Sequence, residues 1–453
     1  MTLAVFLLSL CGAMAVGVPV AFALLACGIA LMLHLDLFDT QILAQNMLAG
    51  ADNYPLMAVP FFMLAGELMN MGGLSRNIIR MASALVGHVR GGLGYVAIIA
   101  AVTMASISGS AVADTAALAA ILIPLMRSAG YDLPRAAGLV AAGGIIAPII
   151  PPSIGFVVFG VVGQVSITKL FMAGIAPGLA MGLALAVTWW LCARGEFKHH
   201  RSEPFRISRL LSALREGVWA LALPVLIIGG MKLGVFTPTE AAVVAAVYSM
   251  LVGMFVYREL TWAMLPKALL AAAKTSSVVM FLVAAAMVSA WLITVANIPQ
   301  QVAELLEPYA GNQMLLMFLM MAIVVVVGTA LDFTPTVLIL TPVLMPLVKQ
   351  AGIDPVYFGV LFIMNNAIGL LTPPVGTVLN VVSGVGKVPL SGAIRGVTPF
   401  LVAQLFLLAL FIVFPALVTV PANQNCFRVP GAGSAVARGY ACRRAEVRAG
   451  HCR

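Results

Sequence analysis

The chain has 453 residues, 62% of them hydrophobic and 9% charged, too little polar surface to clothe a soluble globule, so it reads as an all-α polytopic protein of a lipid bilayer. The formal charge of +9 does not point to nucleic acid, because the segment 423–453 alone sets Arg428, Arg438, Arg443, Arg444, Arg448 and Arg453 against Glu446. Cys11, Cys27 and Cys192 lie in apolar segments and Cys426, Cys442 and Cys452 in that tail, without the paired spacing of a transition-metal site.

In chain order, 3–16 and 18–35 read as two short spans parted at Gly17-Val18-Pro19. The first has the apolar run of a signal segment but no basic residues before it, and it is kept as a span. A loop with Asp36, Asp39 and Asp52 and no lysine or arginine is expected on the outer face. The span 56–70 carries Glu67 and completes a scaffold over 3–72. Residues 74–89 set Arg76, Arg80 and His88 against Ile78, Ile79, Met81 and Leu85, the pattern of an arm lying along the interface. Two apolar arms over 91–126, joined by Ser106-Ile107-Ser108-Gly109-Ser110, predict a re-entrant hairpin with arms of about half a membrane. A broken helix over 135–164 and a span over 170–192 close a first unit, 1–193.

The basic stretch 194–216 reads as a cytoplasmic linker. A second unit, 217–422, repeats the plan with scaffold spans in 218–296, an arm over 298–309, a hairpin over 313–348 around Leu331-Asp332-Phe333-Thr334, a broken helix over 356–385 and a last span over 393–418. The Arg-rich tail 423–453 reads as a disordered extension and is assigned no function.

The repetition is visible residue by residue. Pro124 falls on Pro346, an offset of 222 residues, and the same offset carries Gly130 onto Gly352, Asp132 onto Asp354, Leu139 onto Leu361 and Pro151-Pro152 onto Pro373-Pro374. Proline pairs at matching places in two apolar segments predict deliberately broken helices around a midplane site. The second arm bears Glu304 and Glu307 where the first bears basic residues, the sign reversal expected of a copy inserted the other way up. Three spans, a broken helix and a final span make each unit cross an odd number of times, as an inverted repeat requires.

The runs PFFMLAGELMNMGGL from Pro60, SISGSAVADTAA from Ser106, IIAPIIPPSIGF from Ile145, FTPTEAAVVAAVY from Phe236 and LLTPPVGTVLN from Leu370 resemble the large membrane subunit of tripartite ATP-independent periplasmic (TRAP) transporters, over roughly residues 1–422. The resemblance implies a sodium-driven importer of organic acids in the bacterial inner membrane, working as an elevator. It also implies two partners, a small four-helix membrane subunit and a periplasmic substrate-binding protein. The tail departs from the family's pattern.

No cofactor is expected; sodium, as the coupling ion, needs hard oxygen ligands, and unwound tips expose carbonyls that have no helical donor. The first tip offers Ser106, Ser108, Gly109 and Asp114 with Gly144 and Pro148 of the break; the second offers Asp332, Thr334 and Thr336 with Asn365, Asn366, Gly369 and Thr372. One cation per half is expected. Small hydroxylated residues also permit close helix packing, and the repeated position is what favours ligands. By resemblance, the organic acid sits between the tips with Ser108, Ser110, Ser153 and Asp332 as leading contacts. Asp332 stands at the place of Ser110, so the repeat breaks where a substrate needs asymmetry. Asp132 and Asp354 read as helix-start caps, and Glu67 and Glu240 as scaffold hydrogen-bonding groups. With no lysine or arginine in the expected core, the anion is met by helix N-termini and sodium.

Two other readings compete. A stand-alone sodium/divalent-anion symporter would share the architecture without a binding protein. An intramembrane hydrolase would need a membrane histidine or two facing aspartates, but His34, His88, His199, His200 and His451 lie outside the expected core and Asp114 and Asp332 sit on tips, so no enzyme is expected.

Overall fold

The computed structural model describes residues 2–193, 207–306, 312–373 and 376–420, and every element among them is helical. Most of the basic linker (194–206), the end of the second arm (307–311), Pro374 and Val375, and the tail 423–453 lie outside the described residues. Seven described helices are long and apolar enough to cross a bilayer, or eight if one bent pair counts as a span, which makes a multi-pass membrane protein.

In the first half α1 (Thr2–Ala15) and α2 (Val20–His34) pack side by side across a turn at Gly17, whose φ of +87° suits glycine. The acidic stretch expected as a plain loop folds instead into α3 (Thr40–Ala51). Asp39 accepts from Gln41 N at 2.7 Å and closes the first turn, and Gly50 lets the helix lie against Ala284 and Met287. After a 3₁₀ turn at Tyr54–Met57 comes α4 (Ala58–Met71), and α5 (Leu74–Val86) leaves it at a bend of 63°. Arg76 of α5 pairs with Glu259 at 3.3 Å, tying this arm to the second half.

Helices α6 (Gly92–Ser108) and α7 (Ala111–Ser128) make the first hairpin. At 17 and 18 residues each arm is about 26 Å long, more than half of the roughly 30 Å hydrocarbon core. The arms are therefore longer than the sequence reading expected, and a hairpin that enters and leaves by one face must tilt or keep its mouth outside the core. Its mouth is closed by Trp189, whose Nε1–H donates to Gly91 O at 3.0 Å and whose ring stacks on Tyr131. The first broken helix is α8 (Leu133–Gly144) and α9 (Ile154–Gly163), interrupted over 145–153 with a cis Pro151-Pro152 bond, and α10 (Ile167–Ala193) follows.

The second half runs α11 (Ile207–Lys232), α12 (Pro238–Leu251) with a π-helical turn at Val252–Val256, α13 (Leu265–Val295), α14 (Ile298–Leu306), α15 (Gln313–Ala330), α16 (Phe333–Gln350), α17 (Pro355–Gly369), α18 (Thr377–Gly386) and α19 (Leu390–Val413). Helix α11 begins inside the stretch read as linker, and α13 runs unbroken for 31 residues within the scaffold stretch. Shifted by 222, the bounds of α7 become those of α16, and α3, its 3₁₀ turn and α4 fall on the single helix α13 with the turn before it. Asp132 and Asp354 cap α8 and α17, accepting from Arg135 N at 3.2 Å and Val356 N at 2.8 Å, and Glu240 closes a capping box with Thr237.

The halves interlock. Helix α9 of the first packs on α16 of the second, while α18 of the second packs on α7 of the first. Helices α8 and α19 cross at Gly138 and Gly396, where a Cβ on Gly396 would stand 1.8 Å from Pro134 O. Such backbone-to-backbone approach supplies the dispersion contacts that hold helices together where lipid removes the hydrophobic drive.

Candidate functional site at two interrupted tips

Gly109, at φ +64°, links α6 to α7, and a Cβ there would meet Pro152 O at 2.5 Å, so the tip lies directly on the proline break. Ser110 is the N-cap of α7 and accepts from Ala113 N at 3.4 Å. One turn on, Asp114 is buried and accepts a short hydrogen bond from Ser108 Oγ, which itself accepts from Ser110 N at 3.2 Å. Across the tip, Ser153 is the N-cap of α9, accepting from Phe156 N at 3.2 Å and donating to Pro148 O. Asp114 Oδ2 and Thr115 Oγ1 are buried without hydrogen-bond partners, and Thr115 Oγ1 fills the space where Gly144 would carry a Cβ. Buried oxygens left unpaired are costly unless something else pairs with them.

The second tip is built differently. Asp332, the N-cap of α16, is exposed and accepts from Phe333 N at 2.9 Å and from Thr377 Oγ1 at 3.5 Å. Behind it, Asn366 Nδ2 donates to Phe333 O at 2.8 Å and Asn365 Nδ2 to Met321 O at 2.6 Å. Both asparagines are fully buried and their Oδ1 atoms are without partners; that of Asn366 lies close to Gly328, which in turn touches Gly369. The tips converge through Phe333, whose ring occupies the space beside Gly155 at the start of α9.

The structure thus brings Ser108, Gly109, Ser110, Asp114, Gly144, Pro148 and Ser153 together at one tip, and Asp332, Asn365, Asn366 and Gly369 at the other. Three expected hydroxyls turn back into their own helices instead: Ser106 donates to Thr103 O, Thr336 to Asp332 O and Thr372 to Ile368 O. Thr334 is half-buried, and its side chain makes no hydrogen bond among the described residues. Sequence reading missed Thr115 and Thr377. The second had a signal: it stands at the place of Gly155, so it breaks the repeat next to where Asp332 does.

The family described as "Tripartite ATP-independent periplasmic transporter, DctM component" matches residues 7–417. The chain is 56% identical over 421 residues to the 2,3-diketo-L-gulonate TRAP transporter large permease protein YiaN of Escherichia coli (strain K12), covering 93% of this chain and 99% of that one. It is 40% identical to the sialic acid TRAP transporter large permease protein SiaM of Vibrio cholerae, over 89% and 94% of the two chains. Identity to the C4-dicarboxylate TRAP transporter large permease protein DctM of Pseudomonas aeruginosa is 38%, over 83% and 87%. Among solved structures, the crystal structure of the Alcanivorax borkumensis YdaH transporter, described as having an unusual topology, matches with a TM-score of 0.59 at 16% identity, over 83% of this chain and 88% of that one, a likeness of fold alone. Matched from within α1 to past α19, the chain belongs to the tripartite ATP-independent periplasmic transporters as their DctM component, the multi-pass large permease subunit of the bacterial inner membrane, a transporter and not an enzyme.

Proposed function

We propose that this permease couples sodium entry to import of an organic acid, which a periplasmic binding protein delivers and for which a small four-helix membrane subunit completes the scaffold. The observation that carries the ion-coupling reading is that four of the seven buried side-chain oxygens without partners among the described residues lie at the tips, Asp114 Oδ2 and Thr115 Oγ1 at the first and Asn365 Oδ1 and Asn366 Oδ1 at the second. Each set lies beside an interrupted helix, and a hard cation accepts such oxygens where no donor is available. Ser108, Gly109, Gly144 and Pro148 flank the first position and Gly369 the second, while the hydroxyls of Ser106, Thr336 and Thr372 already donate to backbone carbonyls. Sodium supplies positive charge and nothing else; the chain's own residues hold the backbone open around it. The named substrates of the relatives, 2,3-diketo-L-gulonate, sialic acid and C4-dicarboxylates, are organic acids, and this supports the substrate class.

The acid binds between the tips. Of the four leading contacts, Ser110 and Asp332 are accessible, whereas Ser108 and Ser153 are buried and shape the first tip through Asp114 and Pro148. The segments 91–126, 136–168, 313–348 and 355–386 hold no lysine or arginine, so anion charge is balanced by sodium and helix N-termini. Two halves with matching helix bounds, inserted in opposite senses, present this site to each face in turn by an elevator motion.

The test is uptake of 2,3-diketo-L-gulonate, N-acetylneuraminate and succinate by proteoliposomes holding this chain, the small subunit and the binding protein. Uptake of one of them driven by a sodium gradient is expected. Equal uptake without sodium removes the coupling, and full uptake without the binding protein favours the stand-alone symporter. Asp332→Ala abolishes uptake while inserting normally; near-normal uptake by that variant sinks the assignment.

A further inference from the structure

The second halves of the two broken helices, α9 and α18, are anchored at opposite ends. Helix α9 is held at its N-terminus, where Ser153 is fully buried and bonded to Phe156 N and Pro148 O. Its C-terminus ends on Gln164 at φ +55°, and Lys349, the basic residue of the other half's hairpin mouth, is exposed and bonds no α9 carbonyl among the described residues.

Helix α18 shows the reverse. Its N-cap is Gly376, which brings no side-chain acceptor. At its other end Gly386 O and Lys387 O accept from Arg127 Nη2 at 3.0 and 3.4 Å. Arg127 lies in the last turn of α7, 259 residues away in sequence from Gly386. The last carbonyls of a helix lack intrahelical donors and carry the negative end of its dipole, so a guanidinium there both donates and neutralises. One turn back along α7, Ile123 occupies the space beside Gly386, where a Cβ would come within 2.5 Å. At the far end of α18, ten residues and about 15 Å away, its first residue Thr377 donates to Asp332.

We propose that Arg127 is a positioning residue for the second tip: from the mouth of the first hairpin it fixes the C-terminus of α18 and so sets where Thr377 meets Asp332. The inference rests on the reading of Asp332 as a substrate contact, and Arg127 itself touches no substrate. Both bonds come from the one nitrogen Nη2 at the end of the side chain, and a lysine there keeps the charge but is shorter and more strongly hydrated, so it holds the helix end less well. The same contact joins the arm of one half's hairpin to the broken helix of the other, so α7 and α18 move as one body.

Hydrogen–deuterium exchange of the intact purified chain, read by mass spectrometry, tests this on Arg127→Met and Arg127→Lys. The amides of 377–386 should exchange about tenfold faster in Arg127→Met and by an intermediate factor in Arg127→Lys, with 154–163 unchanged. Unchanged protection of 377–386 overturns the proposal, and so does equal loosening of both segments, which would make Arg127 a source of general stability only. For whichever of the three acids the wild type imports, Arg127→Met should raise the half-saturating acid concentration roughly fivefold and leave that of sodium unmoved. A lowered maximal rate with unchanged half-saturation overturns the link to the tip. Because the exchange needs no substrate, failure of acid uptake and failure of the anchoring are told apart.

Discussion

The first tip is closed on itself and the second is open. Around Gly109 the polar groups face inward: Ser108 is bonded to Asp114, Ser153 to Pro148 O, and all four are buried. Around Asp332 the carboxylate is exposed, and beyond the cap bond from Phe333 N its side-chain partner is Thr377. Shifted by 222, Asp332 and Thr377 fall on Ser110 and Gly155, so two departures from the repeat touch each other. Asp114 and Thr115 fall on Thr336 and Val337, and Asn365 and Asn366 on Gly143 and Gly144, so the unpaired buried oxygens also come from different positions of the two halves. The repeat shares helix bounds rather than polar residues, and each tip has its own chemistry.

The severest way to break the comparison is Gly109→Ala, because the residue needs φ +64° and has Pro152 O where the methyl would go. A left-handed alanine and an overpacked contact together cost roughly 2–5 kcal/mol, so uptake should be lost along with the thermal transition of the purified chain. Leu331→Ala, at the corresponding place in the second tip, should keep that transition. Next comes Asp332→Ser, which gives the second tip the first tip's residue. Serine caps as well as aspartate, so the fold should survive while uptake falls about ten- to a hundredfold, and a folded variant with normal uptake would show the carboxylate to be dispensable. Ser153→Ala removes a cap and should cost about 1 kcal/mol, seen as a lower melting temperature with substrate half-saturation nearly unchanged. Smallest in its effect on the fold is Thr377→Val. A single hydroxyl bond is worth about 0.5–1.5 kcal/mol, so half-saturation for the acid should rise two- to tenfold at constant sodium dependence, and no rise would detach Thr377 from the site.

Much of the helical layout was legible because proline pairs, glycine-bearing tips and long apolar runs are local signals. The segment read as the first hairpin is occupied by α6 and α7, and the stretches read as broken are interrupted near Pro151 and Pro373. Helix α3 was not legible, since its Gln41, Gln45 and Asn46 look like loop residues until Ala284 and Met287 cover its other face. The length of α13 was hidden for a related reason: Lys267 and Lys274 interrupt the apolar pattern, yet both lie within one unbroken helix. At the site, residue types were readable and their pairings were not. That Thr336 bonds its own helix, that Thr377 reaches Asp332, and that Arg127 closes a helix of the other half all depend on tertiary placement no local pattern encodes.

The interlocking of the halves also governs the order in which the molecule can be made. Helix α9 ends at Gly163, but α16, on which it packs, begins at Phe333. At ribosomal speed the intervening stretch takes roughly 10–30 s to emerge. Through that interval α9 lies in the bilayer without its companion, and α7 waits longer still for α18. A translation product cut off between the halves is therefore not a small transporter but an unfilled mould, and it is the kind of fragment that membrane quality control should remove.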